Sequence, residues 1–403
     1  MIRIAVIVPE YLPIPSVKGG GVETLVTRLL DQNEIEKKYD FDVFSIDDLG
    51  ARKKAKEYKL TKFLYNSFKS HFYDNILQRG ARKLFHQSFV FNRRYFYPIL
   101  KQISSDNYDY VLVENKSVLV PVLSKMLRGK NTKILLHIHN VDQINPNLRV
   151  NLERQCDGVI AVSNYVKSLV VQQYPRMLEN RIFVVHNFSD LRTTSDKVDD
   201  LQKKEFYKKY DLKKTDKVVL YSGRVIDSKG ILQLMRAISH LNNKNVHLLI
   251  IGNSWYSEAG KSDFEEKLEQ IAKGLAGKVI FTGYVPHTQM GKYYAVADIC
   301  VFPSIAPETA GLVQLEAMGF KKMTVISDSG GMPEYIGDAG VIVPLGNGFQ
   351  QRLDASLENV LNMNRDELKR RGELLYQHSL WFSEKRAFAE FSKVISEMNS
   401  VKN

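Results

Sequence analysis

Two glutamates eight residues apart, Glu308 and Glu316, stand in an otherwise apolar stretch. Eight residues are roughly two turns of an α-helix, so a helix that begins near Glu308 would project both carboxylates from nearly one face. The first could accept hydrogen bonds from sugar hydroxyls, and the second could hold a ribose. The N–H groups of Gly311, Leu312 and Val313 would lie in the first turn, where they can bind an anion. Two glutamates on an exposed helix are the alternative, which the apolar neighbours disfavour.

Two cations lie five positions apart, Arg224 and Lys229, after a strand-like run and before a helix-like one. This order predicts that both lie at the carboxyl edge of a sheet. A guanidinium and an ammonium in that position can neutralise the charge that grows on a departing diphosphate. The alternative is a loop in which both cations are solvated.

A run of three glycines includes Gly20 and Gly21 and precedes a helix-like segment. Glycines at a helix N-terminus allow backbone N–H groups to approach an anion. The run matches neither a Walker loop nor the Gly-x-Gly-x-x-Gly fingerprint of dinucleotide-binding domains. A simple flexible turn is the alternative.

Two histidines, His137 and His139, end an apolar strand-like run, and their spacing puts both rings on one face. No further ligands for a paired metal site are evident in the sequence. We expect His137 to be satisfied in the core and His139 to touch a ligand. Asp40 and Asp42 form an Asp-x-Asp pattern, but they flank the start of a strand and are expected to be solvated. The sequence therefore predicts no metal and no cofactor.

Short apolar runs alternate with helix-compatible stretches in both halves of the chain, which is typical of parallel sheets with crossover helices. The predicted strands of the first half are Ile2–Val8, Phe41–Ile46, Tyr110–Val113, Lys133–His139, Gly158–Val162 and Ile182–Val185. Those of the second half are Lys217–Tyr221, His247–Ile251, Lys278–Thr282, Ile299–Phe302, Met323–Ser327 and Gly340–Val343. The pattern predicts an α/β protein with two Rossmann-like, doubly wound parallel-sheet domains that face each other across a cleft.

The domain boundaries follow from the composition. Residues 1–190 form the first predicted domain, residues 191–380 the second, and residues 381–403 a C-terminal helix. The polar stretch 189–196 is the best linker candidate. Residues 350–403 show helical patterns without strands.

The positive charge is concentrated in one segment, at about residues 51–104. The whole chain has a net charge of +12, and this segment alone carries 13 Lys and Arg against two acidic residues. It is also rich in aromatic residues and is predicted to be a helical insertion. Three alternatives remain open: an anionic membrane surface or acceptor, single-stranded nucleic acid, or ordinary helices with a solvated basic face.

Composition excludes several other classes of protein. Only two cysteines, Cys156 and Cys300, occur in 403 residues, which argues against a disulfide-built secreted fold. No signal peptide is evident, and no stretch approaches the roughly 18 apolar residues of a membrane span. We therefore expect a soluble, cytoplasmic protein, with peripheral attachment to the inner face of the cell membrane as a further option.

These motifs together resemble the retaining glycosyltransferases of family 4, which have the two-lobed GT-B architecture. The Glu-x7-Glu element from Glu308 to Glu316 is the most specific match. The other matching pieces, in family order, are Gly20-Gly21-Val22-Glu23, Ser222-Gly223-Arg224 with Lys229-Gly230, Thr282-Gly283-Tyr284-Val285-Pro286 and Ser329-Gly330-Gly331-Met332-Pro333-Glu334.

The resemblance implies roles for the second-domain residues. Arg224 and Lys229 would clamp the donor diphosphate, Glu308 would bind hydroxyls of the transferred sugar, and Glu316 would bind the ribose. The backbone from Gly311 to Val313 would meet the phosphates. The backbone of Val285 would meet the nucleobase.

The resemblance also implies roles for the first domain. Gly20 and Gly21 would close over the phosphates and the sugar, and His139 matches the family's histidine near the sugar. The segment around Trp381 and Phe382 resembles the one that crosses back to the first lobe.

The resemblance implies a retaining, metal-independent hexosyltransferase. Its donor would be a nucleotide sugar, most commonly a UDP-sugar. The acceptor would be a surface polysaccharide, a lipid-linked glycan or another glycoconjugate. Three alternatives are a nucleotide-sugar epimerase on the same fold, a phosphorylase, and a non-catalytic nucleic-acid-binding protein. The lack of a lysine suited to a pyridoxal Schiff base disfavours the phosphorylase.

Overall fold

The computed structural model describes residues 1–66, 92–144, 151–177, 179–189, 200–253 and 262–400. The chain divides into two compact units. The first contains Met1–Asn187 together with Glu384–Asn403, and the second contains Phe188–Ser383. The linker candidate from 190 to 196 and the central part of the basic-aromatic segment, from 67 to 91, lie outside the described residues.

A seven-stranded sheet forms the centre of the first unit. Its strands are β1 Ile2–Ile7, β2 Tyr39–Ile46, β3 Thr61–Asn66, β4 Tyr110–Glu114, β5 Lys133–Ile138, β6 Gly158–Ala161 and β7 Ile182–Val184. Their order is β3-β2-β1-β4-β5-β6-β7, and all neighbouring pairs are parallel.

A six-stranded sheet forms the centre of the second unit. Its strands are β8 Lys217–Ser222, β9 Val246–Ile251, β10 Val279–Phe281, β11 Ile299–Phe302, β12 Met323–Ser327 and β13 Val341–Val343. Their order is β10-β9-β8-β11-β12-β13, again with parallel neighbours.

Helices connect the strands in both units. In chain order they are α1 Gly21–Glu36, α2 Leu49–Ala55, α3 Arg93–Ser105, α4 Val120–Met126, α5 Leu152–Gln155, α6 Asn164–Gln173, α7 Asp200–Lys209, α8 Ile231–Leu241, α9 Asp263–Ala272, α10 Met290–Val296, α11 Leu312–Gly319, α12 Pro333–Ile336, α13 Phe349–Asn362, α14 Arg365–Ser379 and α15 Glu384–Ser400. Short 3-10 turns occur at Ser117–Leu119, Val141–Ile144, Glu179–Arg181, Asp227–Lys229, His287–Gln289 and Leu380–Phe382. Among the described residues, no helix is both long and apolar enough to cross a membrane.

The predicted α/β class is confirmed. Each of the twelve predicted strands is present, and their ends differ from the prediction by at most two residues. Five strands, β4, β6, β9, β11 and β12, are buried along their whole length, as expected for strands covered by helices on both faces. The helical pattern after residue 350 is also confirmed for the described residues.

Strand β3 corrects the prediction that the basic-aromatic segment is purely helical. Phe63 and Tyr65 lie on either side of Leu64 and stack with a ring separation of 6.2 Å, and Phe63 also contacts Tyr58. Aromatic residues at every second position favour an extended strand over a helix. The described part of the segment therefore contains strand β3 and most of helices α2 and α3.

The strand order identifies where each unit can bind a ligand. In both sheets the order reverses beside the first strand, between β1 and β4 in the first unit and between β8 and β11 in the second. In an open parallel sheet, the loops that follow two such strands diverge to opposite faces and leave a crevice at the carboxyl edge. The residues that follow these four strands are thus the first candidates for a site.

The last helix, α15, completes the core of the first unit. Phe388 and Phe391 are buried and pack on Tyr39, with ring separations of 6.0 and 5.9 Å. Asn399 accepts a hydrogen bond of 2.6 Å from the Tyr110 hydroxyl at the start of β4. The C-terminal residues are therefore part of the first sheet's packing.

Candidate active site

The loops that follow β8 and β11 meet through their backbones. Gly230 has a φ of 70°, and a Cβ atom on it would lie 1.9 Å from the carbonyl oxygen of Pro303. The carbonyl of Ser228 accepts hydrogen bonds from the N–H groups of Ile305 and Ala306, at 3.0 and 3.2 Å. Only glycine allows this approach without strain.

This contact brings Lys229 to Glu308. The Lys229 ammonium forms an ion pair with Glu308 Oε1, and the same oxygen accepts a hydrogen bond from the Ser304 hydroxyl. The side chains of Lys229 and Glu308 are 22% and 19% exposed, so both remain accessible to a ligand. Two residues that the sequence analysis assigned to neighbouring parts of one donor are thus in direct contact.

Arg224 lies at the same end of β8. Its backbone carbonyl accepts a 2.8 Å hydrogen bond from the buried Tyr221 hydroxyl, while its side chain is exposed. Gly223 has a φ of 141°, and a Cβ on Gly252 would lie 2.0 Å from the Gly223 carbonyl oxygen. The backbone at Arg224 is therefore fixed, and its guanidinium is free to approach a ligand.

The helix that carries Glu316 begins later than predicted, because α11 starts at Leu312 and Glu308 lies in the preceding loop. The Glu308 carbonyl accepts a 2.7 Å hydrogen bond from the N–H of Gly331, and its carboxylate is held by Lys229. These contacts hold Glu308 outside the helix. The expectation that both glutamates project from one helical face is therefore wrong.

The start of α11 has the form of an anion site. Gly311 is its N-cap, and it supplies no side chain to bond the first N–H groups. Leu312 and Val313 form the first turn, as predicted for the residues that offer N–H groups. Such a terminus favours a negative charge through its N–H groups and the helix dipole.

Glu316 has two partners that the sequence analysis did not identify. The Tyr294 hydroxyl lies 3.2 Å from Glu316 Oε2, and His287 Nε2 lies 3.3 Å from Oε1. The Tyr294 hydroxyl also lies 2.9 Å from the Ser222 hydroxyl at the end of β8. Val285 lies two residues before His287 and packs half-buried against the core.

In the first unit, Gly20 and Gly21 begin helix α1 as predicted. Gly20 is the N-cap with a φ of 94°, and a Cβ there would lie 2.2 Å from Glu23 Oε2. The Glu23 carboxylate therefore folds back over the start of its own helix. Burial, aided by the nearby charge of Glu114, raises the pKa of Glu23 to about 6.

Glu114 is the functional candidate that the sequence analysis missed. It ends β4, pairs in register with His137 on β5, and is fully buried. Its Oε2 lies 2.7 Å from His139 Nε2 and 3.1 Å from His137 Nδ1. Because an ionised carboxylate only accepts hydrogen bonds, both ring nitrogens must be donors.

Burial and mutual contacts shift the pKa values of Glu114 and His139. Burial opposes the ionisation of Glu114, but His137 and His139 outweigh it and lower the carboxyl pKa to about 2. Burial, together with the charge of His137, lowers the pKa of His139. Neutral and protonated imidazole can both carry a proton on Nε2, so the hydrogen bond to Glu114 fixes the orientation of the His139 ring in either state.

The same three residues could hold a metal ion. One ligand atom each from Glu114, His137 and His139 lies within 4.8 Å of the others, and carboxylate with imidazole is a donor set that zinc accepts. Glu114 is thus the further ligand that the sequence did not reveal. The expected absence of a metal stays a prediction.

The Asp-x-Asp pattern has a structural role. Asp42 is buried in β2 and accepts hydrogen bonds of 2.6 Å from Arg3 and 2.7 Å from the Tyr108 hydroxyl. The expectation that it is solvated is wrong, because β2 lies inside the sheet. Arg3 and Tyr108 both donate to Asp42 Oδ2, so this oxygen has its hydrogen-bond partners inside the protein.

Two family models match the chain and together cover most of it. Residues 19–193 match the model described as glycosyltransferase family 4. Residues 202–373 match the model described as glycosyl transferases group 1.

Individual relatives agree with these models. A putative glycosyltransferase of Bacillus subtilis, YtcC, is 22% identical over 83% of this chain and 77% of its own length. The lipopolysaccharide 1,2-N-acetylglucosaminetransferase of Salmonella typhimurium is 27% identical over 57% of this chain and 59% of its own length. The crystal structure of Anabaena Alr3699/HepE in complex with UDP and glucose superposes with a TM-score of 0.73 at 17% identity, over 98% of this chain and 100% of that one.

The two parallel sheets and their switch points define a GT-B fold. The chain belongs to the family 4 glycosyltransferases.

Replacement of Gly230 by alanine should destabilise the second unit. The new methyl group would meet the Pro303 carbonyl, and alanine disfavours a φ of 70°. We expect a loss of at least about 2 kcal/mol in the free energy of unfolding, measured by urea denaturation. Gly274→Ala is the matched control, because its nearest neighbour would be the Ile271 carbonyl at 3.6 Å. Equal losses in the two variants would contradict the close contact.

Replacement of Glu23 by glutamine should change how stability depends on pH. A carboxyl group whose pKa rises from its ordinary 4.5 to about 6 on folding favours the folded state below pH 4.5 and loses that contribution as the pH passes 6. The shift corresponds to about 2 kcal/mol. Glu23→Gln should therefore gain stability relative to the natural chain as the pH rises from 4.5 to 7.

Urea denaturation at pH 4.5, 5.5 and 7 measures this difference. The control is Glu205→Gln, which changes an exposed glutamate on α7. A difference between Glu23→Gln and the natural chain that stays constant over this range would show that Glu23 titrates alike in both states.

Proposed function

We propose that the protein transfers a sugar from a UDP-sugar to a membrane-associated glycan, with retention of the anomeric configuration and without a metal ion. The observation that supports this proposal best is the Lys229–Glu308 pair at the switch point of the second sheet, with Arg224 just after β8, the strand that Lys229 also follows. Cation and carboxylate side by side match the diphosphate and the sugar, which are consecutive parts of such a donor.

Donor binding would exchange the partners within this pair. The diphosphate would replace Glu308 as the partner of Lys229, and sugar hydroxyls would replace Lys229 as hydrogen-bond donors to Glu308. Both side chains are about four-fifths buried, which strengthens their interactions with a bound ligand relative to those in open water. Arg224 would add a second, more mobile cation to the diphosphate.

Charge stabilisation at the leaving group would carry most of the catalysis. The bond between the anomeric carbon and the diphosphate oxygen breaks, and a bond from that carbon to the acceptor oxygen forms on the same face. The acceptor's proton passes to a phosphate oxygen of the departing nucleoside diphosphate. Arg224, Lys229 and the N–H groups at the start of α11 would stabilise the negative charge that this product gains.

Other residues of the second unit would bind the nucleoside. Glu316 would accept hydrogen bonds from the ribose, supported by Tyr294 and His287, which fix its carboxylate. The backbone of Gly311, Leu312 and Val313 would bind the phosphates. The backbone of Val285 would contact the base.

Residues of the first unit would also bind the donor. We assign Gly20 and Gly21 to the phosphates and the sugar, and His139 to a sugar hydroxyl. Glu114 would act as a positioning residue, because its hydrogen bond fixes the orientation of the His139 ring.

The choice of UDP draws on relatives. Alr3699/HepE was crystallised with UDP and with UDP-glucose, and it shares the fold at low sequence identity. The Salmonella relative is named for a transfer in lipopolysaccharide synthesis. The first supports a UDP-sugar donor, and the second supports a cell-surface glycan as acceptor.

The basic-aromatic segment would hold the acceptor at an anionic membrane. The described part of it has Arg52, Lys53 and Lys54 in the last turn of α2. Leu49 and Tyr97 are large apolar residues that are 87% and 60% exposed. Exposed cations with exposed apolar groups favour the interface of a charged bilayer.

Removal of either donor cation should reduce transfer. We expect Arg224→Ala and Lys229→Ala each to lower kcat/KM by roughly 10²-fold or more, because each loses one charge that stabilises the leaving diphosphate. The donor for the assay is chosen from a panel of UDP-, GDP- and ADP-sugars as the one that raises the melting temperature of the protein most. The measurement is the release of nucleoside diphosphate from that donor.

Lys267→Ala is the control for this pair, because Lys267 is an exposed lysine on α9 of the same unit. Circular dichroism checks that each variant is folded. Normal turnover in both cation variants would refute the diphosphate assignment, and an inverted anomeric product by NMR would refute retention.

Membrane binding should depend on charge. We expect the full chain to sediment with vesicles that contain anionic phosphatidylglycerol. We expect it to be released as the salt concentration rises from about 50 to about 500 mM, because salt in this range screens the attraction between surface charges. Neutral phosphatidylcholine vesicles are the control. Equal binding to both kinds of vesicle would remove the electrostatic membrane assignment.

A further inference from the structure

A cavity of about 610 Å³ opens on the second unit, away from the residues described above. It lies beside Asp298 and Lys322, which directly precede β11 and β12. In a parallel sheet all amino ends lie on one edge and all carboxyl ends on the other. The cavity is therefore at the amino edge of the sheet, whereas Arg224, Lys229 and Glu308 follow the carboxyl ends.

The wall of the cavity is strongly cationic. Of its thirteen lining residues, six are lysines and one is an arginine, while Asp298 is the single acidic one. Outside the basic segment from 51 to 104, the whole chain has a net charge of only about +1. The cavity is thus a local concentration of positive charge on an almost neutral background.

Asp298 does not neutralise this wall. Its carboxylate is largely buried and accepts a 2.8 Å hydrogen bond from the N–H of Val218 at the start of β8. Burial raises the pKa of Asp298, although Arg365, Lys322 and Lys217 act against the shift. Lys321 has its own partner, Glu373, whose Oε2 lies 2.9 Å from its ammonium. A single carboxylate that is committed to the backbone offers little compensation to the exposed lysines of the wall, Lys204, Lys214 and Lys369.

Two cations of the wall, Lys203 and Lys322, repel each other. Burial lowers the pKa of Lys322, and the charge of Lys203 lowers it further. Lys322 is held in this position by backbone carbonyls, of which Ala297 is 2.9 Å away. An anion in the cavity would relieve this repulsion.

Three further lysines point to an external partner. Lys204, Lys214 and Lys369 are exposed, and none forms an ion pair with a carboxylate among the described residues. They belong to three separate segments: helix α7, the loop before β8, and helix α14. Cations that converge from separate segments can surround an anion that carries more than one charge.

We propose that this cavity binds a small anion with two or more phosphate groups. Its volume is within the range of small-molecule sites, and a concave wall suits a compact ligand better than a flat lipid surface. A nucleic acid would need several aromatic faces for its bases, and the lining contains only Tyr207. The site is separate from the donor site and does not depend on the proposed function.

Isothermal titration of the full chain with tripolyphosphate tests the proposal. UDP is kept in excess so that the donor site is occupied wherever UDP binds. We expect one tripolyphosphate per chain, with affinity reduced about tenfold or more in Lys204→Gln/Lys369→Gln, since each lost charged contact weakens binding. Lys267→Gln/Lys273→Gln is the charge-matched control, because both lysines are exposed on or just after α9.

Each outcome decides the proposal. Loss of binding in the cavity variant alone supports it, and Arg224→Ala/Lys229→Ala should then still bind tripolyphosphate. Equal affinity in the cavity variant and its control overturns it. Binding of anionic vesicles or of a single-stranded oligonucleotide through Lys204 and Lys369, without binding of tripolyphosphate, also overturns it and assigns the surface to that partner.

Discussion

The backbone contact between Gly230 and Pro303 is the constraint on which the second unit's site depends. Neighbouring parallel strands are about 4.8 Å apart, so their following loops can touch only where no side chain separates them. Gly230 has no side chain, so the loop after β8 can approach the loop after β11 at this point. The Ser228 carbonyl accepts two further hydrogen bonds from the loop after β11. Lys229 and Glu308 then meet because their backbones are already fixed.

The ion pair between Lys229 and Glu308 stabilises both side chains at the edge of the sheet. A partly buried ammonium or carboxylate is costly unless a partner compensates it. Lys229 and Glu308 compensate each other, so the fold can keep both at the sheet edge before any donor binds. Under the proposed function, a donor that offers a phosphate and hydroxyls would replace both partners at once, whereas a plain phosphate would leave Glu308 unpaired.

In the first unit, histidines compensate the buried carboxylate. No lysine or arginine among the described residues pairs with the buried Glu114, and two imidazoles donate to one of its oxygens. Asn115, the next residue, has a φ of 50° and accepts hydrogen bonds from the N–H groups of His139 and Asn140. Side chain and backbone together therefore fix His139, which gives its ring a defined orientation at the edge of the sheet.

These examples show what the sequence could reveal. Strands such as Ile299–Phe302 are evident because parallel strands buried on both faces are continuous apolar runs. Glu308 and Arg224 could be selected by residue type and position after a strand. The start of α11 could not be predicted, since the contact of Glu308 with Gly331 joins residues 23 positions apart. Glu114 was missed because only the register of β4 against β5 brings it to His137.

The cavity at the amino edge and the site at the carboxyl edge are linked by the same elements of the second unit. Strand β11 has four residues, so it separates the two edges by about 13 Å, more than the roughly 8 Å over which physiological salt screens exposed charges. A direct electrostatic effect of a bound anion on Lys229 would therefore be small.

Packing offers a more direct connection than charge. Helix α11 begins with Leu312, carries Glu316, and is followed within three residues by Lys321 and Lys322 in the cavity wall. Gln314 fixes this helix through a 2.8 Å hydrogen bond to the Met332 carbonyl. A ligand that pulled on Lys321 or Lys322 would act on the end of a short, tightly held helix. Any influence on the proposed donor site would then pass through the position of Glu316.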